Sequence, residues 1–229
     1  MGVVVAAAGR GERMGGSVLK QFQPVAGVPM LLHALRPFLS HPEVADVIAV
    51  LPADAAASPP EWLAGLLGER LRAVAGGATR MDSVEAGLRA LPAECRIVLV
   101  HDGARPFPEP AVIDAVIVQA RRGAGAIAAI PVADTLKEAE PVAGGASRVR
   151  STVPRAGLWR AQTPQGFPRA LLETAYASAR AAGRNGTDEA ALVEQAGGEV
   201  VLVADSPTNL KVTSPGDLRL AEAIAATRR

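Results

Sequence analysis

Between Ala6 and Phe22 the chain reads AAAGRGERMGGSVLKQF, a stretch whose residue types suit the binding of a polyphosphate. Glycine lets backbone N–H groups approach phosphate oxygens, and Arg13 and Lys20 add positive charge at fixed points. The same composition also suits a basic surface loop with turn glycines. Neither of the two common phosphate fingerprints fits. The pattern GxGxxG is met at Gly9 and Gly11 but falls on Met14 where its third glycine must stand, which disfavours a dinucleotide-dependent dehydrogenase. The pattern GxxxxGK[ST] fails because no suitable glycine precedes Lys-Ser or Lys-Thr.

Three further features could do chemistry. Gly76-Gly77 precedes Thr79-Arg-Met-Asp-Ser83, and such a turn can bring backbone groups close enough to read a nucleobase, or simply join a strand to a helix. Asp102 follows the apolar run Ile97–His101, where a carboxylate can hold a divalent cation or a ribose hydroxyl, or merely begin a turn. His101 reads as a packing residue at a strand end, and three scattered histidines argue against a histidine metal centre. Of 24 basic residues only Lys20, Lys137 and Lys211 are lysine, so each stands out against a background of arginine. A compact ammonium with three donors suits a phosphate held at one point.

These residues need a scaffold. Hydrophobic residues make up 49% and aromatics 3%, so the core must be built from Ala, Val, Leu and Ile. At 229 residues one large domain spanning 1–229 is expected. The net charge of +1 gives no reason to expect nucleic-acid or membrane-surface binding. No apolar run approaches the roughly 20 residues of a membrane span, no signal pattern follows Met1, and Cys95 is the only cysteine, so a cytoplasmic protein is expected.

Short apolar runs at Val3–Ala7, Asp46–Leu51, Leu71–Ala75, Ile97–His101, Ala126–Pro131 and Val200–Ala204 predict strands covered on both faces. Between them, helical periodicity marks Met30–Leu39, Arg80–Leu91, Pro110–Arg121, Pro168–Ala182 and Pro215–Ala226. The alternation predicts an α/β fold, a doubly wound, mostly parallel sheet with helices on both faces. Asp134–Arg155 breaks the rhythm. Gly144-Gly145 is a hairpin signal between the extendable segments Thr135–Glu138 and Arg148–Val153, and few large apolar residues are present. It reads as a projecting β-arm that must rest on something else.

Ala7-Ala-Gly-x-Gly-x-Arg-Met14, Lys20 and Pro24-Val-x-Gly-x-Pro-Met-Leu31 resemble the signature of the nucleotidyltransferase superfamily. With Gly76-Gly-Ala-Thr-Arg-Met-Asp-Ser-Val84, Val100-His-Asp-Gly-Ala-Arg-Pro106, Asp134-Thr-Leu-Lys137, Leu158-Trp-Arg-Ala-Gln-Thr-Pro-Gln165, Thr187-Asp-Glu-Ala190 and Asn209-Leu-Lys-Val-Thr213, in that order, the chain resembles the 2-C-methyl-D-erythritol 4-phosphate cytidylyltransferase family over nearly its whole length.

That resemblance implies a magnesium-dependent transfer of CMP from CTP to methylerythritol phosphate on a Rossmann-like fold. It places Ala7, Ala8, Gly9 and Gly11 around the triphosphate, with Arg13 and Lys20 stabilising the transition state. It assigns Gly76, Gly77, Arg80, Asp82 and Ser83 to the nucleotide pocket, and Arg155 and Lys211 to positioning the methylerythritol phosphate. Ala104, Arg105, Thr135 and Thr163 become further substrate contacts, and Asp102 a metal ligand or substrate contact. It also implies a homodimer whose 134–155 arm completes the neighbour's site. Ala78 stands where relatives often carry an acidic residue, and Leu19 where many carry proline. Two other readings remain: a cytidylyltransferase for another polyol phosphate such as ribitol 5-phosphate, or a nucleotide-binding module without turnover.

Overall fold

The computed structural model describes residues 1–9 and 19–228. In chain order the first half contains β1 (Gly2–Ala6), β2 (Pro24–Val25), β3 (Val28–Pro29), α1 (Met30–Leu39), β4 (Asp46–Leu51), α2 (Ala53–Ala57), α3 (Glu61–Ala64), β5 (Leu71–Ala75), α4 (Arg80–Ala90) and β6 (Ile97–Asp102). The second half contains α5 (Pro110–Arg121), β7 (Gly125–Pro131), β8 (Leu136–Pro141), β9 (Ser147–Val153), β10 (Trp159–Pro168), α6 (Arg169–Ala181), α7 (Glu189–Gln195), β11 (Val200–Ala204) and α8 (Pro215–Thr227). A 3₁₀ turn at Lys20–Phe22 leads into the β2–β3 hairpin.

Seven strands form the main sheet in the order β11-β7-β10-β6-β1-β4-β5. All neighbours pair in parallel except β10, which runs antiparallel to both β6 and β7. Strand side chains alternate between faces, so Val3 and Val5 enter one core layer and Val4 the other. The first layer packs Leu31, Leu35 and Phe38 of α1 with Ile113, Val116 and Ile117 of α5. The second packs Val84 and Leu88 of α4, Leu172 and Tyr176 of α6, and Leu192 and Val193 of α7. A smaller cluster seats α8 against the β2–β3 hairpin and the start of α1 through Ala221, Ala225, Val25 and Met30.

The order of the strands fixes where a ligand can enter. From β1 the chain moves through β4 to β5, then returns to place β6 on the other side of β1. Such a reversal opens a crevice at the carboxyl ends of the two strands flanking it. Ala6 pairs with Asp102 at those ends, so the loop after β1 and the Asp102 carboxylate emerge side by side.

The strands β8 and β9 form a separate antiparallel sheet, with Leu136 opposite Val153 and Pro141 opposite Ser147. Nearly every residue of both is exposed, including Leu136 and Val149. Gly144 and Gly145 both take positive φ at its tip, which glycine adopts without a Cβ clash. No described helix is long and apolar enough to cross a membrane.

Candidate active site

A cavity of about 260 Å³ opens at the crevice between β1 and β6. Its walls are Ala7, Ala8 and Gly9 after β1, Lys20 and Gln21 of the 3₁₀ turn, Gly77, Ala78 and Thr79 before α4, and Arg80 and Ser83 from its first turn. Asp102, Ala104 and Lys211 close it. A second cavity of about 250 Å³ adjoins it, walled by Arg105, Ala161, Gln162, Thr163, Gln165, Thr187 and Asp188. Arg80, Asp102 and Lys211 line both. Two ligands bound one in each cavity would therefore meet at these three charges.

Local chemistry positions each wall. The buried Gln21 side chain donates to the Ala7 carbonyl at 2.7 Å and braces the start of the loop. α4 begins with a capping box, in which the Thr79 hydroxyl accepts from Asp82 N–H at 3.0 Å and the Asp82 carboxylate accepts from Thr79 N–H at 2.9 Å. The Gly76 backbone lies so close to its neighbours that a Cβ there would meet Ala8 Cβ at 2.4 Å and Ser83 Oγ at 2.8 Å. Glycine is what lets the β5–α4 turn close onto the loop after β1.

Asp102 is the electrostatic centre. Its Oδ2 lies 2.8 Å from Lys211 Nζ and 3.6 Å from Arg105 Nε, and its Oδ1 lies 3.4 Å from Arg80 Nη2. Burial alone would raise this carboxyl, but Lys211, Arg80 and Arg105 more than offset it and hold it well below the usual carboxylate range. Asp102 is a carboxylate at any physiological pH. Lys211, Arg80 and Arg105 thus put three cations within 3.6 Å of this one carboxylate, where they can also meet phosphate groups.

His101, fully buried, orders the backbone at this point. Its Nε2 lies 2.9 Å from the Arg105 carbonyl, which can only accept, so Nε2 donates. Nδ1 must then accept from the Thr163 hydroxyl at 3.0 Å, and that hydroxyl oxygen accepts from Asp102 N–H at 3.0 Å. Burial lowers the His101 imidazole to about 4, which keeps this neutral relay intact. Arg105 continues the network by donating to the Asn209 carbonyl at 2.8 Å.

The residues singled out from the sequence do not all converge on one place. Ala7, Ala8, Gly9, Lys20, Gly77, Arg80, Ser83, Asp102, Ala104 and Lys211 converge on the first cavity, and Arg105 and Thr163 on the second. Gly76 stands just behind the first wall. Asp82 lines neither cavity; its carboxylate caps α4 and pairs with Arg180. Thr135 and Arg155 flank the arm strands and line neither cavity, and Arg155 donates to the Ala133 carbonyl. Gly11 and Arg13 lie outside the described residues. Lys137 is on the arm, where it donates to Thr152 at 2.6 Å.

Sequence reasoning assigned no role to Gln21, Gln162, Gln165, Asp188 or Glu189. Gln165 donates to Asp188 at 2.8 Å and accepts from Ala190 N–H at 3.2 Å, tying β10 to α7. Glu189 holds Arg80 at 2.8 Å. All but Gln21 sit inside the AQTPQ and TDEA segments, so their signal was membership of those segments.

The family model described as 2-C-methyl-D-erythritol 4-phosphate cytidylyltransferase matches residues 1–227. The protein of that name from Acidobacterium capsulatum is 44% identical over 96% of this chain and 94% of its own. Its namesake from Streptomyces coelicolor is 45% identical over 99% of this chain and 85% of its own. The crystal structure of 2-C-methyl-D-erythritol 4-phosphate cytidylyltransferase from Thermus thermophilus superposes with a TM-score of 0.81 at 38% identity, covering 98% of both chains. With two cavities meeting at the switch point and similarity along the whole length, the chain belongs to the 2-C-methyl-D-erythritol 4-phosphate cytidylyltransferase family.

Proposed function

We propose that this protein transfers CMP from CTP to 2-C-methyl-D-erythritol 4-phosphate, releasing pyrophosphate and forming the cytidine diphosphate derivative used in isoprenoid biosynthesis. The observation that supports it best is the shared wall of Arg80, Asp102 and Lys211 between two cavities of similar size. The first takes CTP, with Gly77 and Ser83 toward the base and ribose and Lys20 toward the phosphates. The second takes the acceptor, whose phosphate reaches the junction beside Lys211 and Arg105.

The acceptor phosphate is already ionised near neutral pH, so no side-chain nucleophile or base is needed. One of its oxygens forms a bond to the α-phosphorus of CTP as the bond to the pyrophosphate oxygen breaks. The electron pair of that bond leaves with pyrophosphate. Negative charge shifts toward the bridging oxygen, and fixed cations aimed there favour the transition state over the ground state. Lys20 takes this role, which the family resemblance assigns to Arg13 as well, while Lys211 and Arg105 hold the acceptor.

Magnesium fits the donor set in one way. Among the described residues no three His, Cys, Asp or Glu side chains converge as a self-contained metal site. Magnesium, however, is commonly bound by one or two carboxylates together with substrate phosphates. Asp102 would hold it, and the ion would supply neutralisation of the nucleotide phosphates.

The arm supports a homodimer. β8 and β9 are too exposed to be stabilised by their own contacts, and Leu158 and Trp159 at the arm's base are also exposed. Thr135 and Arg155 line neither cavity of their own subunit. They act across a two-fold axis on the neighbour's acceptor phosphate.

Pyrophosphate release with CTP and a panel of polyol phosphates tests the assignment. Turnover with methylerythritol phosphate is expected. Turnover with ribitol 5-phosphate but not with methylerythritol phosphate would refute it.

A further inference from the structure

Glu189 opens α7 and is buried, yet it borders neither cavity. Its Oε1 accepts from Arg80 Nη1 at 2.8 Å and from the Tyr176 hydroxyl at 3.2 Å. Its Oε2 is buried with no hydrogen-bond partner. Burial raises the Glu189 carboxyl and Arg80 draws it back. For stability alone this is a poor use of an interior position, because apolar residues of similar volume commonly serve as well or better than a buried ion pair.

The partner explains the position. Arg80 lies at the junction of the two cavities and has two ends there. Nη1 is held by Glu189, while Nη2 stands 3.4 Å from Asp102 Oδ1. That second distance is long for a charge-assisted hydrogen bond, which runs about 2.7–2.9 Å. A guanidinium free to choose beside a carboxylate takes the bidentate fork, two parallel bonds to both oxygens. Arg80 does not, because Glu189 draws one nitrogen away and Lys211 occupies Asp102 Oδ2 at 2.8 Å.

We propose that Glu189, steadied by Tyr176, is a positioning residue for the transfer, holding the Arg80 guanidinium open at the junction where it meets the phosphates of both substrates. Without that pull, Arg80 closes onto Asp102 and withdraws its charge from the phosphates. The reasoning rests on the transfer reaction proposed above.

The test is a double-mutant cycle on kcat/KM for methylerythritol phosphate, using the full chain and rates normalised to the natively folded fraction. Glu189→Gln keeps the volume and an acceptor oxygen but removes the charge. It should lower kcat/KM about tenfold in the native background and leave it within twofold in an Arg80→Met background. Tyr176→Phe deletes one hydroxyl and should show the same pattern at about threefold; it serves in place of Glu189→Gln if that variant does not fold. A structural role for Glu189 would survive the loss of Arg80, so equal losses in both backgrounds overturn the proposal. Undiminished activity of both single variants overturns it as well. If the unaltered chain shows no turnover, the transfer reading fails and this one with it; turnover by the unaltered chain with no coupling refutes only the positioning role.

Discussion

The buried imidazole of His101 makes the acid stability of this protein calculable. In the folded chain it titrates at about 4, against 6.5 for the free side chain, chiefly because burial disfavours the charged form. The Arg105 carbonyl and Asp102 pull the value up, and the Arg105 and Lys211 charges push it down. The folded value is depressed, so the unfolded chain binds a proton at a pH where the folded chain does not. Stability is therefore lost as the pH falls from about 6.5 toward about 4, by about 2 kcal/mol at pH 5 and about 3 kcal/mol once both states are protonated.

Replacing His101 with Gln removes the titration. Gln has no ring to pack against Phe38, whose centroid lies 5.1 Å from the imidazole, so the variant is less stable at pH 7. The informative quantity is the slope. Urea unfolding at pH 7 and pH 5 should show the native chain losing about 2 kcal/mol more than His101→Gln over that interval, the contributions of Asp102, Glu189 and the surface carboxylates cancelling in the difference. Equal slopes would mean that the folded chain takes up the His101 proton over the same pH range as the unfolded chain, and the neutral relay from Arg105 through Thr163 to Asp102 would be wrong.

Other outcomes bear on the site. Lys20→Ala should lower kcat about a hundredfold, on the order of 3 kcal/mol of transition-state stabilisation, with a smaller effect on KM for CTP; normal kcat with weaker CTP binding would make Lys20 a ground-state anchor. CTP should be strongly preferred over UTP, because a site that hydrogen-bonds the exocyclic amine leaves its acceptors unpaired against uracil, and equal use would show that residues 76–83 do not read the base edge. Chelation of divalent ions should abolish turnover and added magnesium restore it; full activity in excess EDTA would remove Asp102 from a metal role. Co-expressed Lys20→Ala and Arg155→Ala subunits, each nearly inactive alone, should recover roughly a quarter of native activity, since half the dimers are mixed and each mixed dimer has one intact site. No recovery would place Arg155 in its own subunit's site.

The parts of the fold built from apolar pattern were legible in the sequence. Asp46–Leu51, Leu71–Ala75, Val200–Ala204, Met30–Leu39 and Pro110–Arg121 have the bounds that the sequence pattern predicts, because each is a largely apolar run or one helical stripe facing the sheet. β10 was not legible. Its buried residues include Gln162, Thr163 and Gln165, and its pairing with β7 shifts register between Ala161 and Gln165, across Pro164. A strand whose inward positions are polar, satisfied by Asn209, His101 and Asp188 from elsewhere in the chain, has neither alternation nor an apolar run to reveal it. α7 escaped because it is only seven residues long and starts with a buried carboxylate.

The same distinction separates what the sequence said of the site. Residues at strand ends on the switch point, Ala7 to Gly9 and Asp102 among them, were readable because the fold class alone puts them at the crevice. The rarity of lysine marked three segments but not one place: Lys20 and Lys211 share a cavity, while Lys137 serves the arm. Asp82 lies two residues from Arg80 on α4, yet one caps the helix and the other forms the junction. On a helix, residues two apart point to different sides, so nearness in sequence carried no information about which faces the ligand. Glu189 lies 109 residues beyond Arg80 and touches no cavity, so its role follows from the charge it balances. In a site built from arginines, the carboxylates that aim them determine where the positive charge falls, and no local pattern in the sequence records that pairing.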